Sequence, residues 1–184
     1  MPLWAWILIA VAIVVLAGVV VWSFSRQRTS KRLRESFGPG YERTVNISGR
    51  RQAESELTDR EKRREQLDIR PLDPAVRQRY AERWRDAQAR FVDSPGQATR
   101  EGDHLVTEVM RERGYPMEDF DQRAADVSVD HPHVVENYRA AHAISLANEQ
   151  GKASTENLRQ AMVHYRALFV ELLEQPEEDV RRTG

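Results

Sequence analysis

Residues 3–24 read LWAWILIAVAIVVLAGVVVWSF, 22 consecutive residues without a charge. Nothing else in the chain constrains it as strongly, because lipid is the solvent in which such a run is at ease. At about 1.5 Å rise per residue it would reach roughly 33 Å as a helix, enough for a hydrocarbon layer of about 30 Å. Trp4, Trp6, Trp22 and Phe24 stand at its two ends, where interfacial aromatic belts lie. A cleaved leader would need a charged start, a shorter apolar stretch and small residues before the cut. Met1-Pro2 and Val20-Val21-Trp22 offer none of these. The run therefore predicts a single N-terminal transmembrane helix over residues 1–25.

Arg26, Arg28, Lys31, Arg32 and Arg34 follow directly, against Glu35 alone. Lys and Arg gather on the cytoplasmic side of a membrane. The expected placement is thus the cell (inner) membrane, single-pass, with the N-terminus outside and the C-terminal domain cytoplasmic. The same five cations are candidate lipid-headgroup contacts, each contributing about 1 kcal/mol near an anionic surface. The expected partners are the lipid bilayer, its anionic headgroups and an unknown protein. The absence of cysteine suits a reducing compartment and removes thiolate chemistry.

Charge divides the remainder. Residues 26–70 hold 13 basic and 8 acidic residues, a net of +5, and residues 71–184 hold 15 and 21, a net of -6. A net charge of -1 for the whole conceals a dipolar chain. The basic half reads as a juxtamembrane segment and charged helical connector over residues 26–72. Gly38-Pro39-Gly40 interrupts it. Residues 49–68 carry only Ala53, Leu57 and Leu67 as apolar side chains. A helix with so little to bury is expected to be a solvated spacer supported by i,i+4 pairs such as Glu56 with Arg60 and Asp59 with Arg63.

Residues 73–175 read as a soluble, antiparallel, all-α bundle of about four helices, with a polar tail over 176–184. Asp73-Pro74, Ser94-Pro95 and His131-Pro132 each place proline where a first helical residue tolerates it. The first helix, about 74–92, aligns Val76, Tyr80, Trp84, Ala87 and Phe91 on one face. The second, about 95–113, turns Ala98, Leu105, Val106, Val109 and Met110 inward and stops at Gly114, a natural C-terminal cap. A short helix follows over about 116–126. The third long helix, about 132–149, offers Val134, Val135, Tyr138, Ala141 and Ile144. The fourth, about 155–174, has the strongest stripe, Leu158, Met162, Tyr165, Phe169 and Leu172. Val127-Ser128-Val129 reads as a brief extended connector.

No phosphate-binding glycine loop and no nucleophile elbow occurs, so no catalytic residue and no cofactor is expected. Five histidines stand at 104, 131, 133, 142 and 164. Glu101 and His104 have the ExxH spacing of di-iron bundles, but those sites need two such motifs plus two further inward glutamates, and the chain has no second ExxH. Asp130-His131-Pro132-His133 resembles a ligand cluster, yet a site normally needs three or four convergent donors. Helix capping by Asp130 explains it more simply. His142 and His164 border the stripes of the last two helices and would form a pH-sensitive contact if they faced one another. No metal site is assigned. Nucleic acid is not an expected partner, because the folded part is acidic and duplex binding needs a basic surface.

RYAERWRDAQARFVDSPGQATREGDHLVTEVMRERGYP (79–116), RAADVSVDHPHVVENYRAAHAI (123–144) and STENLRQAMVHYRALFVELL (154–173) resemble a group of uncharacterised actinobacterial-type single-pass membrane proteins, often labelled secreted. The resemblance covers nearly the whole chain. It implies an anchored helical domain in a bacterium and carries no assigned activity. The ratio of 25 Arg to 3 Lys fits a GC-rich genome. The expected function is a membrane-tethered, non-enzymatic helical interaction or scaffold module. The alternatives are a metal-binding helical-bundle enzyme using Glu101, His104, His131, His133 or His142, and an exported domain facing the envelope.

Overall fold

A computed structural model describes residues 28–174. Every regular element among them is an α-helix: α1 (described over 28–37), α2 (Pro39–Ser48), α3 (Arg50–Glu65), α4 (Pro74–Arg90), α5 (Pro95–Arg113), α6 (Phe120–Asp130), α7 (Val135–Glu149) and α8 (Thr155–Leu173).

Local chemistry sets several of the ends. The Asp73 carboxylate accepts from the Ala75 N–H at 2.8 Å and Pro74 opens α4, satisfying one of the donors that a helix start leaves orphaned. Ser154 and Asn157 form a reciprocal capping box at the start of α8. Gly114 ends α5 at φ +97°, a left-handed backbone that other residues adopt only under strain.

The main core lies among α4, α5, α7 and α8, where Trp84, Leu105, Val109, Tyr138, Tyr165 and Phe169 are buried together. Each such side chain contributes about 1.5–3 kcal/mol on burial. α4 and α5 run antiparallel, tied by Arg83 to Glu108 at 2.5 Å and Arg90 to Glu101 at 3.4 Å. α7 and α8 also run antiparallel. His131, just before α7, meets Glu171 near the end of α8, and Ser145 late in α7 meets Tyr165. α5 and α8 run parallel: Gly102 faces Met162, and Arg113 donates to the Leu172 carbonyl at 3.1 Å.

The expected membrane architecture is corrected here. Among residues 28–174 no helix is long and apolar enough to cross a membrane. The span assigned to residues 1–25 lies outside the described residues. Even α8, with the strongest stripe, interleaves it with Glu156, Arg159, Arg166 and Glu171. The single-pass, inner-membrane placement with a cytoplasmic C-terminal domain therefore finds no spanning element in the fold. Of its five flanking cations, Arg26 lies outside the described residues. Arg28 is exposed, Lys31 faces Glu35 at 3.9 Å, Arg32 meets Glu61 of α3 at 2.5 Å, and Arg34 pairs with Glu42 of α2.

The connector is not a solvated spacer. Leu57 of α3 is fully buried with Leu33, Phe37 and Tyr41, and Val129 of α6 closes this second, smaller core. Two inward residues four apart, Ala53 and Leu57, are enough to seat α3. Ion pairs hold the rest of it to α6: Arg63 to Asp126 at 3.0 Å and Arg64 to Asp130 at 2.5 Å. The Glu56–Arg60 pair forms as expected, whereas Asp59 pairs with Lys62.

Two local expectations also change. Val127-Ser128-Val129 is helical, inside α6, because burial of Val127 outweighs the extended preference of β-branched residues. α7 begins at Val135, after a turn over 132–134. The His131 carbonyl accepts from the N–H groups of Val134 and Val135, so Pro132 stands before the helix. Asp130 does not cap α7; its carboxylate takes the Tyr115 hydroxyl at 2.6 Å and Arg64.

Candidate functional site: a charged groove

The two cores meet along a groove of about 790 Å³ between α2 and α3 on one side and α6 and α7 on the other. Its walls carry Arg43 from α2, Arg60 and Arg63 from α3, and Arg139 from α7, interleaved with the carboxylates of Glu56, Asp59, Asp119, Asp121 and Glu136. Ile47, 74% exposed, lies among the lining residues. Three of the arginines have carboxylate partners at hydrogen-bond distance. Arg43 donates to Glu136 at 2.7 Å, Arg60 to Glu56, and Arg63 to Asp126 and Glu118 at 3.0 and 2.8 Å.

Arg139 differs. Its side chain is 15% exposed, and the nearest carboxylates stand at 3.6 Å (Glu136) and 3.9 Å (Asp121). Its buried Nε faces Glu136 Oε1 at 3.6 Å, an ion-pair rather than a hydrogen-bond distance. Burial, and then the charge of Arg43, hold this guanidinium below the ordinary basicity of arginine, with Arg60 adding to the effect against Glu136 and Asp121. A desolvated cation without full pairing is costly. The fold keeps one facing this groove.

A second polar cluster lies inside the bundle. The Tyr165 hydroxyl donates to Ser145 Oγ at 3.0 Å, and the His142 ring stacks on Phe120 with centroids 3.7 Å apart. His142 Nδ1 stands 3.9 Å from Asp103 Oδ1. Burial presses the Asp103 carboxyl upward, but His142, Tyr165 and the Arg123 charge together hold it below the usual range. Carboxylate beside imidazole is the pairing that general-base chemistry uses. Here 3.9 Å is too long for an orienting hydrogen bond, and Phe120 covers one ring face. The cluster joins α5, α6, α7 and α8 and is best understood as structural.

The remaining sequence candidates do not converge. Glu101 pairs with Arg90, and exposed His104 faces Glu108 at 3.0 Å. His131 donates to Glu171 at 2.9 Å. His133 lies against Gly38, within 4 Å of where a Cβ there would stand. His142 meets Phe120 and Asp103, so the anticipated contact with His164 gives way to an aromatic and a carboxylate. No group of three or more potential ligands that could hold a metal ion occurs among the described residues.

Sequence reasoning missed Arg139 and the groove. One signal was available: Arg139 sits four residues after Val135 and next to Tyr138, at the margin of the apolar stripe of α7. A cation there is half turned toward whatever covers the helix. Compared with known proteins, the chain matches no protein-family model, no curated protein and no solved structure.

Proposed function

We propose that this chain is a non-enzymatic helical interaction module whose docking surface is the groove between α2/α3 and α6/α7. The observation that carries the reading is the composition of that groove. Small-molecule sites are mostly apolar with a few converging polar groups. This one is walled by arginines and carboxylates from four helices, open along its length, and holds no nucleophile paired with a base. Such a surface suits a polypeptide segment, whose charges and backbone can engage many dispersed polar groups. The likeness of residues 79–116, 123–144 and 154–173 to the uncharacterised actinobacterial group is proposed as kinship, and it adds no activity to this reading.

Site-directed photo-crosslinking tests it. A photoreactive amino acid at Gln52 or Ser55, in the groove, should trap one defined polypeptide in the cells that make the protein. The same group at Glu82 on α4, outside the groove, should not. Adducts indistinguishable between the groove and α4 positions would refute the assignment.

A further inference from the structure

We infer that the seam between α4 and α8 is a second docking surface, independent of the groove, and that it receives an amphipathic helix of a partner protein with acidic residues along one edge. α4 and α8 both pack on α5, and they meet each other where Trp84 stacks on Phe169. Toward the end of α4 the seam opens into a hollow of about 190 Å³ lined by Gln88, Phe91, Arg159, Met162, Val163 and Arg166. That lining holds two guanidinium groups over an apolar floor and no carboxylate. Val163 and Val170, seven residues apart on one face of α8, are 55% and 41% exposed. Exposed apolar side chains scattered singly are ordinary, whereas a run of them beside a hollow marks a contact surface. Helical spacing extends the cationic rim along α4: Ala81, Arg85, Gln88 and Val92 follow one edge, and Glu82 and Asp86 fall on the outer face instead. Arg85 and Arg166 are exposed and form no ion pair among the described residues, while Arg159 is held by Glu156 at 2.6 Å. Glu156 and Glu174 stand at the two ends of the α8 face, beyond the hollow, and Glu171 is on its other edge, against His131. Two helices carried side by side on a third leave a trough for one more, whose apolar residues at i and i+7 would fall on Val163 and Val170. Acidic residues on its α4-facing edge would meet Arg85 and Arg166. A second copy of this chain fits less well, because α8 against α8 about an antiparallel twofold sets Arg159 and Arg166 of one copy beside those of the other.

Fluorescence anisotropy of a labelled helical peptide, titrated with the full chain at constant ionic strength, tests this. The probe carries leucines at i, i+3 and i+7 and glutamates along one edge of that stripe. It should bind saturably, and the same peptide with lysines for the glutamates should not. Val163→Gln, at a largely exposed site, should weaken binding roughly 10-fold, as for the loss of a central apolar contact, with the thermal midpoint retained. Arg166→Glu should weaken the glutamate peptide and gain affinity for the lysine peptide, a reversal that a merely structural arginine would not produce. Equal binding of the two peptides, or binding unmoved by both substitutions, overturns the inference. So do dimers in sedimentation that Val163→Gln disperses, since a second copy then covers the seam. Phosphatidylserine vesicles that bind through Val163 and Arg166 while the peptide fails would also overturn it, by replacing the helix with a lipid surface. Crosslinking at Gln52 or Ser55 reports on the groove alone, so either docking surface can fail while the other stands.

Discussion

The indole of Trp84 on α4 stacks on the ring of Phe169 on α8, with centroids 4.6 Å apart and planes 23° from parallel. The pair lies over Gly102 of α5: a Cβ there would stand 3.5 Å from the indole and 3.0 Å from the Met162 sulfur. Three helices thus close on one point, and the glycine is what lets α5 approach. Phe169→Ala should cost about 3–5 kcal/mol, the usual range for deleting a buried aromatic ring. Gly102→Ala should cost less, because the flexible Met162 end can shift. Urea unfolding of both variants checks the order, and an equal or reversed ranking would contradict this account.

Gly114 should resist any side chain. Its φ of +97° is left-handed, and a Cβ would fall 2.4 Å from the Asp68 carbonyl oxygen. That carbonyl belongs to the linker between α3 and α4, which also pairs Arg70 N–H with the Arg113 carbonyl at 2.9 Å. Gly114→Ala should destabilise by about 1–3 kcal/mol, the range for enforced backbone strain. Faster amide exchange at Arg70 should accompany it, because the backbone must move apart there. Wild-type exchange at Arg70 in a destabilised variant would show that the linker is not held by this contact.

Glu54 ties the N-terminal helices together. Its carboxylate accepts from Ser30 Oγ at 2.5 Å, Tyr41 Oη at 3.1 Å and Arg50 Nε at 3.0 Å. Burial pushes its carboxyl up, but the hydrogen bonds from Ser30, Arg50 and Tyr41 outweigh that and bring it below 4.5. A depressed folded value means that the stabilisation is present above 4.5 and is lost as pH falls through the lower value. Acid should therefore loosen the small core of Leu33, Phe37, Tyr41 and Leu57. Glu54→Gln should cost roughly 1–3 kcal/mol at neutral pH and flatten that acid dependence. Exchange rates of amides in α2 and α3, followed from pH 7 to 3, provide the measurement.

His131 should make the bundle weaker in mild acid. Its side chain is 11% exposed, Nδ1 meets Glu171 and Nε2 is buried without a partner among the described residues. Burial pushes its pKa below 6.5, and the Arg113 charge adds to that, more than Glu171 restores. The unfolded chain then binds the proton more readily, so stability falls as pH drops from about 6.5 toward the lower folded value. Wild-type stability should decline across that window, and His131→Gln should remove the part due to this ring. Superimposable pH profiles for the two proteins would rule the effect out.

Much of the bundle was legible in the residues. Pro74, Pro95 and Gly114 mark three helix ends by backbone chemistry that needs no tertiary partner. The stripes Trp84–Ala87 and Leu158–Leu172 mark buried faces by spacing alone. The start of α7 was misplaced because Pro132 is compatible with both a helix start and a turn. The seating of α3 was missed for a related reason. Ala53 and Leu57 make too short a stripe to distinguish a solvated helix from one held by Arg63 and Arg64 against α6.

Sequence by itself determined the long helices of the bundle and most of its core, because period and capping are local properties. It also placed His142 and His164 beside the apolar stripes of the last two helices without deciding what either meets. Tertiary structure alone decided that α1, α2 and α3 fold against the bundle, that His142 faces Phe120 and Asp103, and that Arg139 stands between Glu136 and Asp121. Each of these depends on which surfaces remain after the main core has closed. That remainder is set by distances between residues 24 to 93 positions apart, such as Ser30 to Glu54 and Arg43 to Glu136, which no local pattern encodes.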